Sequence, residues 1–540
     1  MSFNLNAYKS LAKDIINESI KTALFVDENA LEPFTKGSKN ENTDIIETQK
    51  LSRYLYKHFY RNQITLTIHQ FKNVNSAKPF LKNKDIVLLD WHLDGMKSGE
   101  EYALELLEEI VKERSINFCC IYTNSPKESV INNCMSYFSG YCKDFYDSVY
   151  EEYSLDNELT TKVNPFLERV FALPNPNNSE KLISISQELK RIPGLAKQIS
   201  DIIPISNLTF AEKLRCLAYA NKEKLIKSKS KQTPILTFLD KNNFVFIIKS
   251  TFIIILNKDH EHDKESLFSK IRKEIISKHN SYLLMLGLEM QNQLKNNHSF
   301  ITGNVLDVKN ETIAFHWFQN IQHESEILFQ DFIKQIMVDH VDTTLKGSEF
   351  KLLNSDLLNK NKIKRRQEIK QLAQINTFYN GIFLEDNRLV NFGDIFLDES
   401  NHSFYLCITA LCDCLHHKEN ISDNYYFVQG KSFNIDKAID LADEAFLSYI
   451  DANTCILWPD FRKDTNYDKF KPVYIKPIQL HIPNPIIVDY LVIGMQLLNG
   501  DKIALNLKYK FTLRNQYAQR IANHAFSHPL RVGIDFVKRK

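Results

Sequence analysis

The feature that most constrains this sequence is a set of short, uninterrupted apolar runs that end in carboxylates. The clearest is Ile86-Val-Leu-Leu89, which is followed at once by Asp90. A strand that is apolar at every position must be buried on both faces, which is typical of a parallel sheet covered by helices. A second run, residues 22–26, ends in Asp27 and Glu28. The two runs therefore predict neighbouring buried strands with acidic ends.

The first third of the chain alternates such runs with helical patterns. Apolar spacing near 3.6 is clearest over residues 99–112, and a short helix is predicted over residues 5–20. This alternation predicts an α/β domain with helices on both faces of a parallel sheet. We predict its five strands at residues 22–26, 65–70, 85–90, 118–123 and 169–173.

Polar side chains collect where these strands end. Asp27, Glu28, Asp90 and Thr123 all stand at predicted carboxyl ends, where doubly wound sheets bind ligands. Three converging carboxylates repel one another, and a divalent metal with a preference for oxygen ligands, such as Mg²⁺, relieves that repulsion. One carboxylate can then attack a phosphoryl group to give an aspartyl phosphate. The Thr123 hydroxyl is expected to hydrogen-bond a phosphoryl oxygen.

Three segments resemble the first, third and fourth strands of a CheY-like response-regulator receiver domain. They are Thr22-Ala-Leu-Phe-Val-Asp27-Glu28, Ile86-Val-Leu-Leu-Asp90-Trp-His-Leu and Cys120-Ile-Tyr-Thr123, and Gly99 stands where receivers often open their third helix. The resemblance covers about a third of the chain and implies a flavodoxin-like doubly wound parallel sheet. It also implies that Asp90 accepts the phosphoryl group, that Thr123 contacts it, and that Asp27, Glu28 and Asp90 bind Mg²⁺.

Two features depart from the receiver pattern. Receivers carry a Lys-Pro dipeptide after the fifth strand, and here the matching place is Leu173-Pro174, which predicts a weakened or absent phosphoryl switch. Lys143 is a candidate substitute that nothing in the sequence places. The stretch over residues 124–168 is longer than one helix requires, so the usual output face is expected to be rebuilt.

The rest of the chain predicts two further regions. Helical patterns over residues 180–235 are followed by a predicted hairpin at residues 235–256, and helical patterns return over residues 264–374. A β-rich block runs from residue 378 to residue 509. Its segment Gly393-Asp394-Ile395 distantly resembles the turn that opens bacterial barrels such as the MazF-like toxins. An amphipathic helix is predicted over residues 513–526. We therefore predict a receiver domain at 1–190, a mixed, mainly helical region at 191–370, and a β-rich, barrel-like domain at 371–540.

Composition limits the class of protein. The net charge is +2 over 540 residues, no basic start precedes an apolar run, and the longest apolar stretch is too short to span a bilayer. Nine scattered cysteines do not form a disulfide framework. These features predict a cytoplasmic protein without membrane contact. Residues 1–180 hold 20 basic and 26 acidic side chains, and the remainder holds 48 and 40. This mild asymmetry fits either an anionic partner of the C-terminal part or, as is more usual for a difference of this size, a solvated surface.

Three other motifs contain possible ligand residues, and for each a structural role without a ligand is also considered. Cys412, Cys414, His416 and His417, with Cys407 nearby, have zinc-ligand chemistry, but without a second ligand pair we expect buried thiols on a strand rather than Zn²⁺. Residues 259–263 are expected to form a solvated loop. The basic run at residues 360–366 is either a nucleic acid contact or a solvated face.

The sequence thus favours a response-regulator-like signalling protein of a bacterial two-component system. Its receiver, phosphorylated by a histidine kinase or bound by another signalling protein, would control an unclassified output region. Two alternatives remain at this stage, a nuclease-like effector enzyme and a scaffold, each in a bacterial stress or phage-defence pathway with a pseudo-receiver. The sequence does not decide whether the output is enzymatic.

Overall fold

A computed structural model describes most of the first 353 residues and parts of the remainder. The described residues are 5–31, 43–94, 99–173, 180–204, 208–222, 225–230, 236–240, 244–258, 267–277, 281–296, 309–321, 326–353, 357, 371, 374–375, 377, 381–382, 388–398, 403–415, 417–441, 446–450, 454–458, 473–477, 481–482, 486–493, 496–497 and 506–525.

The chain divides into two compact units. The first comprises Met1–Ala314 and Asp331–Asn359, and the second comprises Phe315–Gln330 and Lys360–Lys540. The boundary predicted at residue 190 lies inside the first unit. The three-domain division therefore stays a prediction, and the basic run at 360–366 lies outside the described residues.

The first unit is built on a seven-stranded sheet. Its strands are β1 (Thr22–Asp27), β2 (Thr65–Gln70), β3 (Ile86–Asp90), β4 (Asn117–Thr123), β5 (Leu236–Asp240), β6 (Val245–Ile248) and β7 (Thr251–Asn257). They lie in the order β2-β1-β3-β4-β7-β6-β5. The first five strands in this order run parallel, whereas β6 and β5 pair antiparallel to their neighbours. The predicted flavodoxin-like sheet is confirmed, with an antiparallel hairpin added at one edge.

The position of the fifth parallel strand was predicted wrongly. Residues 169–173 belong mainly to a helix, Asn157–Phe171, in which Val163, Leu167 and Val170 are buried at helical spacing. The fifth parallel strand is β7, and it pairs with β4 from Asn117↔Thr251 to Thr123↔Asn257. A short apolar run does not by itself distinguish a strand from a buried helix turn, and this ambiguity caused the error.

Helices cover both faces of the sheet. They are α1 (Leu5–Ser19), α2 (Thr43–Arg61), α3 (Val74–Leu81), α4 (Gly99–Ile110), α5 (Lys127–Tyr137), α6 (Lys143–Ser154), α7 (Asn157–Phe171), α8 (Glu180–Lys190), α9 (Leu195–Ile202), α10 (Phe210–Ala220), α11 (Leu267–Ser277) and α12 (Ser281–Asn296). One core joins the sheet to α3–α10, and the other joins it to α1, α2, α11 and α12. Two further helices follow in the chain, α13 (Asn310–Ile321) and α14 (Glu326–Leu345).

Six helices are inserted between β4 and β7. Receivers need one helix at this point, and here α5–α10 and the β5–β6 hairpin intervene. The helices form one continuous core with the sheet, because Tyr146, Leu167 and Leu217 are buried in the same cluster as Val87 and Ile253. The expectation that this region is rebuilt therefore agrees with the architecture.

The second unit contains a ten-stranded, antiparallel sheet. Its strands are β8 (Gly381–Ile382), β10 (Asp394–Asp398), β11 (Ser403–Cys407), β12 (Tyr425–Asn434), β13 (Leu447–Tyr449), β14 (Thr454–Leu457), β15 (Val473–Pro477), β17 (Ile486–Ile493), β18 (Gln496–Leu497) and β19 (Asn506–Leu513), while β9 (Arg388–Leu389) pairs with β16 (His481–Ile482). The order β11-β10-β19-β17-β15-β12 closes into a ring, because β11 also pairs with β12. The predicted β-rich C-terminal region is confirmed.

Short helices complete the second unit. They are α15 (Leu411–Leu415), α16 (His417–Asn420), α17 (Ile435–Leu441) and α18 (Asn515–Ala525). The predicted strand carrying Cys412 and Cys414 is wrong, because both residues lie in the helix α15. Cys407 and Cys414 are buried, as expected, and His417 hydrogen-bonds Asp423 over 2.6 Å.

A glycine turn introduces β10. Gly393 has φ +89°, and a Cβ there would lie 2.4 Å from the Leu513 carbonyl oxygen. The next residue, Asp394, is fully buried and accepts hydrogen bonds from both terminal nitrogens of Arg388 and from Thr512. This buried ion pair ties the turn to β9 and β19.

None of the helices in the described ranges combines the length and the apolar character that a membrane crossing requires.

Candidate phosphoryl and metal site

The candidate site lies at the carboxyl edge of the parallel strands. Asp27 is the last residue of β1, Asp90 the last of β3 and Thr123 the last of β4, and all three are at most 5% exposed. Glu28 follows Asp27 directly. The burial of β1, β3 and β4 on both faces fixes their register, and the common strand direction brings these ends to one edge.

Three carboxylates converge at this edge. Asp27, Glu28 and Asp90 each offer an oxygen, and these oxygens lie within 4.8 Å of one another. No other group of three or more acidic, histidine or cysteine side chains this close exists among the described residues. The sequence prediction that these carboxylates meet is confirmed.

Each aspartate is held by a backbone hydrogen bond. The Asn29 amide donates to Asp27 Oδ1 over 2.8 Å, and the Trp91 amide donates to Asp90 Oδ1 over 2.7 Å. Both bonds leave the second oxygen, Oδ2, directed to other partners. The two carboxylates are therefore oriented before any ligand arrives.

Lys258 supplies the positive charge of the site. It follows β7 directly, and its Nζ lies 2.9 Å from Asp90 Oδ2 and 3.4 Å from Asp27 Oδ2. Its own backbone amide donates to the Thr123 carbonyl oxygen over 2.9 Å, which extends the β4–β7 pairing by one step. Burial acts to lower the pKa of Lys258, but the charges of Asp90 and Asp27 outweigh it and raise the pKa.

The prediction that this lysine is missing is wrong. Leu173 ends the α7 region and is buried in the helix-covered core, and Lys143 is an exposed residue at the start of α6. Lys258 occupies the expected place after the fifth parallel strand. The run Thr251-Phe-Ile-Ile-Ile-Leu256 is continuously apolar like β3, and this signal would have identified the strand and the lysine after it.

Glu28 is the least satisfied carboxylate. Its Oε1 accepts from Asn29 over 3.1 Å, whereas its Oε2 is buried and has no hydrogen-bond partner. Burial, followed by repulsion from Asp27 and Asp90, raises the pKa of Glu28 to about 8. Burial is also the largest cause that raises the pKa of Asp27. One cation, Lys258, does not offset three carboxylates.

These residues fit a hard divalent cation. The donors are all oxygens, and the buried Glu28 Oε2 lacks a partner that a cation would supply. Oxygen-only donor sets of this kind suit Mg²⁺, whereas structural zinc sites are usually built from cysteine sulfur and histidine nitrogen.

Thr123 is linked by hydrogen bonds to two residues that follow β4 and β3. The Ser125 amide donates to Thr123 Oγ1 over 3.0 Å, and the Ser125 hydroxyl shares a 2.6 Å hydrogen bond with His92 Nε2. The loop after Asp90 packs against the start of α4, where a Cβ on Gly99 would lie 3.0 Å from the Leu93 nitrogen. Glycine at this position therefore allows the loop to approach α4.

Comparison with known proteins identifies the same part of the chain. Residues 19–167 match the family model described as the response receiver domain. The match spans β1 to β4 and most of α7, and it ends before β7 and Lys258. No curated protein and no solved structure matches the chain significantly. The N-terminal part of this protein is thus a response receiver domain, which supports a response-regulator-like role in signalling.

Proposed function

We propose that this receiver is a competent phosphoacceptor, with Asp90 as the residue that is phosphorylated. The observation that carries the proposal is the 2.9 Å contact between Lys258 Nζ and Asp90 Oδ2. Asp27, Glu28 and Thr123 lie at the same edge of the sheet. A pocket that kept only the fold would not require a partly buried lysine supplied by a strand that begins 128 residues after Thr123.

Asp90 acts as the nucleophile in this proposal. A carboxylate oxygen of Asp90 forms a bond to phosphorus, and the bond from phosphorus to the leaving group of the donor breaks. Asp27, Glu28 and Asp90 would hold Mg²⁺, which, when bound, offsets negative charge on the transferring oxygens. The Trp91 amide keeps the Asp90 carboxylate oriented during the transfer.

Lys258 and Thr123 bind the phosphoryl group once it is on Asp90. The lysine already contacts Asp90 Oδ2, so a phosphoryl group on this carboxylate exchanges one charge-assisted contact for another. Thr123 accepts from Ser125, which leaves its own hydroxyl proton to donate to a phosphoryl oxygen. The donor would be a histidine kinase or another signalling protein, and the signal would pass to the rest of the chain.

Intact-mass measurement tests the proposal. Acetyl phosphate with Mg²⁺ should add about 80 Da to the full-length protein. The Asp90→Asn variant should not gain this mass, whereas Asp94→Asn, an exposed carboxylate four residues later, should gain it like the unchanged protein. Mg²⁺ binding without any phosphorylated species would refute the proposal and make the domain a pseudo-receiver.

A further inference from the structure

Asn29 contacts both of the carboxylates that follow each other at the end of β1. Its backbone amide donates to Asp27 Oδ1 over 2.8 Å, and its side-chain Nδ2 donates to Glu28 Oε1 over 3.1 Å. An ionised carboxylate only accepts hydrogen bonds, so the amide nitrogen of Asn29, and not its oxygen, faces Glu28. One residue therefore supplies a donor to each of two neighbouring acids.

The turn that carries Asn29 is also fixed by contacts that do not involve its side chain. The Phe71 amide donates to the Asp27 carbonyl oxygen over 3.0 Å, and Gln70 Nε2 donates to the Glu28 carbonyl oxygen over 3.2 Å. Asn29 does not have the positive φ that asparagine adopts more readily than alanine. The side chain of Asn29 can therefore be removed while the turn is kept.

The two oxygens of Glu28 are in different environments. Oε1 accepts from Asn29, whereas Oε2 is buried and has no hydrogen-bond partner. Asp27 and Asp90 show a related asymmetry, because Oδ1 of each accepts a backbone amide and Oδ2 of each contacts Lys258. Each of the three carboxylates therefore has one oxygen held by an amide and one that no amide holds.

This arrangement favours one class of divalent cation. Mg²⁺ requires near-octahedral geometry with oxygens at about 2.0–2.1 Å, whereas Ca²⁺ accepts about six to eight oxygens and often takes both oxygens of one carboxylate. A Glu28 carboxylate whose Oε1 is held by Asn29 offers Oε2 alone. Such a ligand satisfies Mg²⁺ and denies Ca²⁺ the two-oxygen contact.

An amide suits this role because it is a donor without a charge. A lysine at position 29 would also hold Oε1, but its charge would offset the carboxylates and lower their attraction for a cation. An aspartate would add a fourth carboxylate and no donor. Asparagine orients Glu28 and leaves the net charge of the site as it is.

We propose that Asn29 is a positioning residue that holds Glu28 as a one-oxygen ligand and thereby makes the site selective for Mg²⁺ over Ca²⁺. The proposal rests on the metal site of the proposed function, but it does not rest on phosphorylation of Asp90. It applies equally to a domain that binds Mg²⁺ and accepts no phosphoryl group.

Isothermal titration of the full-length protein with Mg²⁺ and, separately, with Ca²⁺ tests this role at pH 9, above the pKa of Glu28. Asn29→Ala keeps the backbone amide that holds Asp27 and removes the contact with Glu28. Loss of a hydrogen bond to a metal ligand typically weakens metal binding by about 10- to 100-fold. We expect the Kd for Mg²⁺ to rise about tenfold and the Kd for Ca²⁺ to stay the same or fall.

Two further variants separate this role from a general effect on the turn. Gln70→Ala is the matched control, because Gln70 donates its side-chain amide to the backbone of Glu28 and not to the carboxylate, and it should leave the preference for Mg²⁺ unchanged. In a Glu28→Gln background, which has no carboxylate to hold, the further change Asn29→Ala should alter neither affinity. A purely structural role of Asn29 would instead produce additive losses for both cations.

Three results would overturn the proposal. They are an unchanged preference for Mg²⁺ in Asn29→Ala, a similar loss of preference in Gln70→Ala, and an additive loss in the Glu28→Gln background. Absence of Mg²⁺ binding by the unchanged protein would refute this proposal together with the metal site of the proposed function.

Discussion

Replacement of Lys258 by methionine is the most informative perturbation of the site. Methionine keeps an unbranched stem beside Tyr122, whose ring centroid lies 6.0 Å from Lys258 Nζ, and it removes the charge. The lysine side chain is 21% exposed, and the side chains of its partners Asp90 and Asp27 are nearly fully buried. The change therefore removes a largely desolvated charge-assisted contact from the phosphoacceptor.

The magnitude follows from that contact. Loss of a charge-assisted hydrogen bond to the phosphoryl group costs about 1.5–3 kcal/mol, which slows phosphorylation by roughly 10- to 150-fold. The affinity of the site for Mg²⁺ at pH 9 should increase, whereas the rate of phosphorylation decreases. Three carboxylates without Lys258 attract a divalent cation more strongly, so the affinity of Lys258→Met for Mg²⁺ should rise.

Two assays on the same variant separate these effects. Intact mass over time with acetyl phosphate gives the labelling rate, and isothermal titration gives the Mg²⁺ affinity. Lys143→Met is the matched control, because Lys143 is exposed at the start of α6, and it should leave both quantities unchanged. An unchanged labelling rate in Lys258→Met would refute the assignment of this lysine to the phosphoryl site.

Three further predictions concern the site and the second unit. Since the pKa of Glu28 is about 8 in the absence of metal, Mg²⁺ should bind more weakly at pH 6 than at pH 9 and should release protons below pH 8, which titration in two buffers of different ionisation enthalpy measures. The pKa of Glu28 is higher in the folded state than in the unfolded state, so the protein loses stability as the pH rises between the two values. Glu28→Gln should therefore stabilise the metal-free protein by about 1–2 kcal/mol at pH 9, measured by urea unfolding, while it weakens Mg²⁺ binding. An unchanged free energy of unfolding at pH 9 would contradict this cause. In the second unit, Arg388→Ala leaves the fully buried Asp394 without its bidentate partner and should lower the free energy of unfolding by about 3–5 kcal/mol. The double variant Arg388→Met with Asp394→Leu should lower it less. Equal losses of stability in urea unfolding would show that the ion pair is not the cause.

The sequence predicted the acidic half of the site because local patterns encode it. The apolar runs of β1, β3 and β4 each end in the residue that the site uses, so strand direction alone brings Asp27, Asp90 and Thr123 together. This inference does not require knowing which strands that are far apart in the sequence pair with each other.

Lys258 was missed because its partner strand is distant in the sequence. The pairing of β4 with β7 spans an insertion of six helices and a hairpin, and the strand order is a property of tertiary structure. The apolar run of β7 was visible, but as the last strand of an antiparallel hairpin with β6 it fitted a separate domain equally well. The apolar end of α7, at residues 169–173, has the length and composition of a short strand, which explains the wrong prediction.

The central claim is that Asp90 is phosphorylated in a pocket completed by Lys258. Borohydride reduces an aspartyl phosphate to homoserine, so reduction after labelling marks the acceptor residue for peptide mass spectrometry. The account predicts homoserine at position 90, dependent on Mg²⁺ and much reduced in Lys258→Met. Homoserine at another aspartate, or its absence in a protein that binds Mg²⁺, would contradict it.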